Sequence, residues 1–281
     1  MDYLLLSVIR DEAEHFSQVI DSIIKQTKRP SLWLIVDDNS KDETSEILSQ
    51  FSEEWIITKR HIDRTPASLL HYSQLLSKNA EYLAKLAAKQ NLSWGALAIV
   101  DGDVVPEPTY FSKLLEAFNI DRGLGIISGD LVEPNSKRME YNRWDRPWGA
   151  ATLYRRKCMD DIGGLSPTPS HSSIEIVLAQ KRGYSTSLHT QTMFTHLRPI
   201  STKYGLYNGY VQNGGAARWL GTPITFAVAK AIKLGMSRYP IRGLGYIIGY
   251  LGWRGGRCQI PEVQTSYRNR WRVWWRSREK Q

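Results

Sequence analysis

Short apolar runs alternate with helix-like segments through the first half of the chain. Residues 4–9 form an unbroken apolar run of strand length, and 14–26 then place Phe16, Val19, Ile20, Ile23 and Ile24 at helical spacing. Residues 32–36 predict a second strand running into Asp37-Asp38-Asn39-Ser40. A helix over 42–51, a strand over 55–58 and a long helix over 67–90 follow. Residues 96–100 then predict a strand ending at Asp101-Gly102-Asp103. Beyond Pro106 the pattern predicts a helix over 110–118, strands over 124–128 and 150–154, and a helix over 173–181 ending at Gly183. Past His196 it changes. Residues 204–219 are rich in glycine and aromatics, 223–234 read as a helix interrupted by Lys230 and Lys233, and 239–253 are apolar with regular glycines. Strand–helix alternation implies an α/β fold with a mostly parallel, Rossmann-like sheet flanked by helices. Ligands bind such sheets beyond the carboxyl ends of the strands, where both acidic clusters fall.

Composition adds limits. With 281 residues, 42% of them hydrophobic, the chain can bury one large core, or a core plus an appendage. Cys158 and Cys258 have no metal-binding spacing, so neither a zinc site nor a disulfide framework is expected, and a reducing, cytoplasmic setting is the default. The apolar N-terminus has no basic leader and reads as a buried strand rather than a signal peptide. No stretch of about 20 apolar residues predicts a membrane-spanning helix.

The net charge of +9 points to anionic partners: nucleic acid, acidic lipid or phosphorylated substrates. Its placement bears on the choice. Residues 267–278 interleave arginine with Trp271, Trp274 and Trp275, as in an interfacial helix on an anionic membrane. Single-strand nucleic-acid binding and packing back onto the protein are the competing readings. The apolar stretch 239–253, with its tyrosines at the interface, favours the membrane, which makes the expected address peripheral, on the cytoplasmic face, with no nucleic-acid partner.

An Asp-x-Asp closing an apolar strand suits Mg²⁺ or Mn²⁺, which take carboxylate oxygens plus substrate phosphates and water. Asp101 and Asp103 would supply them, and Gly102 lets a diphosphate approach the backbone. The alternative is a solvated turn, where Asp and Gly are common. Asp37 and Asp38 could accept hydrogen bonds from a base or a ribose, or could cap the next helix, as could Asn39 or Ser40. Two carboxylate clusters on one rim, one for the nucleoside and one for metal and diphosphate, make a coherent donor site.

The residues also resemble a known family. Ser7-Val8-Ile9-Arg10-Asp11-Glu12, then Ile20-Asp21-Ser22-Ile23-Ile24-Lys25-Gln26-Thr27, then Leu34 to Thr44 with its Val36-Asp37-Asp38-Asn39-Ser40 core, are similar in order and spacing to the opening of family 2 glycosyltransferases. Asp101-Gly102-Asp103 falls where that family keeps its D-x-D. Gly149 to Arg156 and Ile162-Gly163-Gly164-Leu165 resemble its acceptor-side strand and turn. The resemblance spans roughly residues 3 to 200. It implies a GT-A domain over 1–200, and the basic, aromatic composition beyond it adds a C-terminal helical, membrane-associating extension over 201–281. It further implies transfer of a sugar, with inversion, from a UDP- or GDP-sugar to a saccharide or polyprenyl-phosphate-type lipid-linked acceptor. Ile9, Arg10, Glu12, Asp37 and Asp38 would then hold the nucleoside. Asp101 and Gly102 would serve the ribose and diphosphate, Asp103, Asp101 and His196 the cation, and Arg198 a phosphate. The tail resembles the C-terminal region of some prokaryotic family 2 enzymes that work on membrane-linked glycans.

One departure concerns the base. Family members carry a carboxylate before the helix that ends in R-G-Y, here Arg182-Gly183-Tyr184, to deprotonate the acceptor. Counting back gives Ser172 or Ser173, which cannot act as that base. Glu175, one helical turn on, is the expected replacement, His171 a second candidate, and a surface carboxylate at a helix start the plain reading of Glu175. The serines also leave open a non-catalytic nucleotide-sugar-binding relative. A nucleotidyltransferase shares the topology but lacks support, since Arg10-Asp11-Glu12-Ala13 is not a glycine-rich loop.

Overall fold

The computed structural model of the chain describes residues 1–62, 65, 68–134, 146–199, 202–203 and 205–269. The chain forms two compact units, Met1–Leu197 and Arg198–Gln281. In chain order the first holds β1 (Tyr3–Ile9), α1 (Phe16–Ile24), β2 (Leu32–Asp38), α2 (Thr44–Ser49), β3 (Ile56–His61), α3 (Leu69–Lys89), β4 (Ala96–Val100), β5 (Val104–Pro106), α4 (Tyr110–Ile120), β6 (Leu124–Val132), β7 (Ala151–Arg155), α5 (Arg156–Asp161), α6 (His171–Lys181) and β8 (Ser185–His196). The second holds α7 (Leu206–Trp219), α8 (Ile224–Gly235), α9 (Ile241–Gly252) and α10 (Pro261–Arg268).

The eight strands form one sheet, ordered β3-β2-β1-β4-β7-β6-β8-β5. Pairings β1–β2, β2–β3, β1–β4 and β6–β8 are parallel. Those of β7 with β4 and β6, and of β5 with β8, are antiparallel. The sheet is therefore mixed. β1 and β2 are buried along their whole length, because both faces are covered. Leu4, Leu6, Val8, Leu34 and Val36 pack with Leu76, Ala80 and Leu83 of α3. Alternate residues serve the other face, where Tyr3 stacks on Phe111 at 4.8 Å and Trp33 meets Phe16. Ser68 starts α3 by accepting the His71 amide, the usual service of a serine at that place.

The sheet's two ends differ. β5 is three residues long and closes on Pro106. At the opposite edge, β3 carries Lys59, which donates to Asn79, and Arg60, which donates to the Ser40 carbonyl.

In the second unit, helix α8 runs unbroken through Lys230 and Lys233. Its packing with α7 and α9 depends on glycine. A Cβ on Gly214 would strike the Tyr246 carbonyl, one on Gly249 the Val211 carbonyl, and one on Gly243 the Ala231 carbonyl. Tyr246 and Tyr250 point inward with Ala217, Ala227 and Ala231, so these tyrosines do not face an interface as their spacing had implied. The tryptophans at 271, 274 and 275 lie outside the described residues.

Candidate active site

Parallel pairing places the carboxyl ends of β2, β1 and β4 side by side, with β1 between the two acidic clusters. Asp37 and Asp38 end β2, Ile9 ends β1 with Arg10 just after it, and Asp101-Gly102-Asp103 follows β4.

The two residues of the first cluster do different work. Asp37 accepts from the Ser40 amide at 2.9 Å and from the Ser45 hydroxyl at 2.5 Å, so it shapes its own loop. Asp38 is buried and bound on both oxygens. Arg10 Nη2 lies 2.8 Å from Oδ2, and His71 Nε2 lies 2.9 and 3.0 Å from the two oxygens. Arg10 also donates through Nε to the Asp38 carbonyl and reaches the Thr65 carbonyl. His61, opposite Asp38 on β3, tilts its ring 6.0 Å from that of His71. Asp38, His61 and His71 are the group among the described residues whose three ligand atoms lie within 4.8 Å of one another. The guanidinium beside Asp38 opposes a further cation at that place.

The second cluster sets two carboxylates close together. Burial and the neighbouring Asp103 push the Asp101 carboxyl up to about 6, against a hydrogen bond from Tyr72 Oη at 2.5 Å. Gly102 is held by packing, since a Cβ would stand 2.8 Å from Glu12 Cγ and 2.9 Å from Ile9 Cγ2. Glu12 itself is buried, and its amide donates to Thr44 Oγ1. β5 pairs with β8, which brings His196 opposite Val104 and sets its Nδ1 3.5 Å from Asp103 Oδ2. That nitrogen is buried, close enough for attraction but without a hydrogen bond. Two carboxylates that repel, beside an orphaned imidazole nitrogen, form a donor set that a divalent cation would satisfy.

On the other side of Tyr72 lies α6. Glu175 is fully buried, so the plain reading of a surface carboxylate does not hold. Its Oε2 accepts from Tyr154 Oη at 2.7 Å and its Oε1 from the Ser166 amide at 2.9 Å. His171 Nδ1 stands 3.3 and 3.4 Å from the two oxygens. The ring of His171 is in turn 6.0 Å from that of Tyr72. Arg198 is a half-buried residue at the start of the second unit. His61, His71, Tyr72 and Tyr154 were not singled out from the sequence. The only signal was a pair of polar residues opening a long helix, which many helices show.

Residues 8–173 match the family model described as glycosyl transferase family 2, more than half of the chain, and the chain belongs to that family. No curated protein sequence matches the chain. Among solved structures it is similar to Staphylococcus aureus TarS, with 11% identity and a TM-score of 0.53 over 89% of this chain and 43% of that one. It is also similar to the mannosyltransferase PcManGT of Pyrobaculum calidifontis in complex with GDP-Man and Mn²⁺, at 13% identity and 0.53, over 99% and 84%. GalNAc-T7 with UDP, GalNAc and Mn²⁺ matches at 13% and 0.52, over 82% and 51%. The chain thus spans about half the length, or less, of TarS and GalNAc-T7. At these identities the likeness establishes the GT-A fold.

Proposed function

We propose that the chain transfers a sugar, with inversion and with Mg²⁺ or Mn²⁺, from a UDP- or GDP-sugar to a saccharide or lipid-linked acceptor at a membrane surface. The observation that carries the donor half is the closeness of the Asp101 and Asp103 carboxylates, which raises the Asp101 carboxyl, beside the orphaned His196 nitrogen, on the same rim as Asp38. Asp101, Asp103 and His196 would hold the cation, which supplies neutralisation of the charge on the departing diphosphate. Asp38 is already engaged by Arg10 and His71, so the nucleoside would meet all three groups together, with Ile9 and Glu12 behind them. Asp37 acts there by fixing the loop, and Gly102 by keeping the approach clear. The GDP-mannose, UDP-GlcNAc and UDP bound to structurally similar enzymes support a nucleotide-sugar donor.

The test is release of nucleoside diphosphate from UDP- and GDP-sugars with Mn²⁺, Mg²⁺ or EDTA, in the presence of a bacterial lipid extract. We expect release from one donor class, abolished by EDTA. Donor binding by calorimetry with no release from any donor would move the chain to the non-catalytic relatives.

The membrane half of the proposal rests on the second unit. Its residues carry 15 of the 37 Lys and Arg but only 2 of the 28 Asp and Glu, so the net +9 divides into +13 there and −4 in residues 1–197. α8 exposes Ile224, Val228 and Ile232 at one-turn spacing, with Met236 just past its end, and α9 exposes Ile241, Leu244, Ile248 and Leu251. Each helix has 12 residues, about 18 Å, against about 30 Å of hydrocarbon. No helix among the described residues is long and apolar enough to cross a membrane. Apolar stripes with Lys230, Lys233, Arg238 and Arg242 beside them suit an anionic lipid surface. The protein is expected to sediment with phosphatidylglycerol vesicles and not with phosphatidylcholine vesicles. Ile232→Glu with Leu244→Glu should weaken that binding at least tenfold. Unchanged sedimentation of the double variant would remove this face from the membrane.

A further inference from the structure

The place where family members keep their base carboxylate holds Ser172 and Ser173, and the glutamate nearest to it is sealed inside the protein. Glu175 has no exposed surface, and both its oxygens are bound, one by the Tyr154 hydroxyl and one by the Ser166 amide. A carboxylate so held cannot swing out to an acceptor. It does touch one group that reaches solvent. His171 keeps 12% of its side chain exposed and turns Nδ1 toward the Glu175 carboxylate, at 3.3 and 3.4 Å. Nε2, on the far side of the ring, has no hydrogen-bond partner among the described residues. Tyr72 fixes where that ring lies, because its own ring is 6.0 Å from His171 while its hydroxyl donates to Asp101. Ser170, in the left-handed conformation at φ 62°, turns the chain so that His171 opens α6.

We propose that His171 Nε2 takes the acceptor's hydroxyl proton, and that Glu175 is a positioning residue that holds the ring through Nδ1. This deepens the transferase reading and rests on it. As the acceptor oxygen bonds to the anomeric carbon, its proton moves to Nε2. The bond from that carbon to the diphosphate oxygen breaks, and its electron pair leaves with the nucleoside diphosphate. The imidazolium formed is balanced by Glu175 until the proton passes to water. A carboxylate behind the ring selects the tautomer with hydrogen on Nδ1 and a free lone pair on Nε2. Burial works to lower the pKa of His171, but the charge and hydrogen bond of Glu175 and the charge of Asp101 outweigh it and leave the pKa above the ordinary value. Among the described residues the titratable groups near the ring are Glu175 on α6, Asp101 after β4 and Tyr72 on α3, with Tyr154 on β7 bound to Glu175. The start of α6 also disfavours the protonated ring, so Glu175 counters the helix as well.

The test compares wild type, His171→Asn, Glu175→Gln and Glu175→Asp for nucleoside diphosphate release between pH 5 and 9, using the donor found active. His171→Asn is expected to lower kcat by about 10² to 10⁴-fold with donor KM unchanged. Glu175→Gln should keep more activity than His171→Asn and move the acid limb of kcat to lower pH, while Glu175→Asp restores the wild-type limb. Loss of activity in Glu175→Gln with His171→Asn still active would make Glu175 itself the base and overturn the proposal. So would a His171→Asn kcat within threefold of wild type. Nitrogen-15 NMR of histidine-labelled protein reads the same geometry without turnover. The neutral ring of His171 is expected to be protonated at Nδ1, and protonation at Nε2 instead would overturn the assignment. A wild type that turns over no donor sinks the transferase reading, a result distinct from either failure of the dyad.

Discussion

Asp101→Asn is expected to lower metal-dependent donor turnover by about 10² to 10³-fold and at the same time to make the metal-free protein more stable. The two effects have one cause. In wild type, burial and Asp103 push the Asp101 carboxyl from an ordinary 3.8 up to about 6, so the folded state resists its ionisation. A carboxyl whose pKa rises on folding holds its proton more tightly in the native state. Stability from this group therefore falls as pH climbs from about 4 through about 6, and stays low above that. The shift corresponds to about 3 kcal/mol as an upper bound. Asparagine carries no charge and still offers an oxygen to Tyr72. In EDTA at pH 8 the variant should melt about 5 °C above wild type, with the gap closing near pH 4 to 5. Mn²⁺ should stabilise wild type and leave the variant where it was. Thermal melts at three pH values, with and without Mn²⁺, check this. A variant that melts below wild type at pH 8 would refute the strained acidic pair.

Gly249→Ala is the second large effect, and it concerns the second unit alone. Alanine ordinarily favours a helix over glycine by about 1 kcal/mol. At 249, however, its Cβ would enter the Val211 carbonyl of α7. The two helices must part along their shared face, which also loses the fit of Gly214 against Tyr246. Overpacking of this kind costs about 3 kcal/mol or more, against the small gain in propensity. Gly235, where a Cβ meets nothing within 4 Å, is the control, and Gly235→Ala should be neutral or slightly stabilising. Hydrogen–deuterium exchange over residues 206–252 separates the two outcomes. Faster exchange in Gly249→Ala but not in Gly235→Ala is expected, and equal protection in both would show that the helices do not depend on close backbone contact.

The sequence was legible where one physical cause dominated. β1, β2 and β4 are apolar runs because helices cover both their faces, and the acidic clusters stand at their ends for the same topological reason. β8 was not anticipated. Its Ser-Thr-Ser-Leu-His-Thr-Gln-Thr-Met-Phe-Thr-His is half polar, with several residues only partly buried, and it is a strand through its pairing with β6 and β5. α7 was hidden by the glycines that its packing requires. Counting back from Gly183 reached Ser172 or Ser173, and Glu175 could be found only as the carboxylate one helical turn on, while its burial could not. α6 buries Ile174, Glu175, Ile176 and Val177 in succession, so no polar face marks which side meets the core. His71 and Tyr72 join the site only because the start of α3 comes back over the strand ends, a long-range contact with no local signature.

The ends of the sheet decide what happens when copies of this protein crowd together. A strand with free amides and carbonyls on one side is a template on which a second molecule can add its own strand. β5 offers only three residues and ends in a proline, which has no amide hydrogen to give. β3 carries Lys59 and the exposed Arg60, charged residues of the kind that discourage pairing at an edge, although both also bond within the molecule. Neither of these two described margins invites growth of the sheet from one molecule into the next.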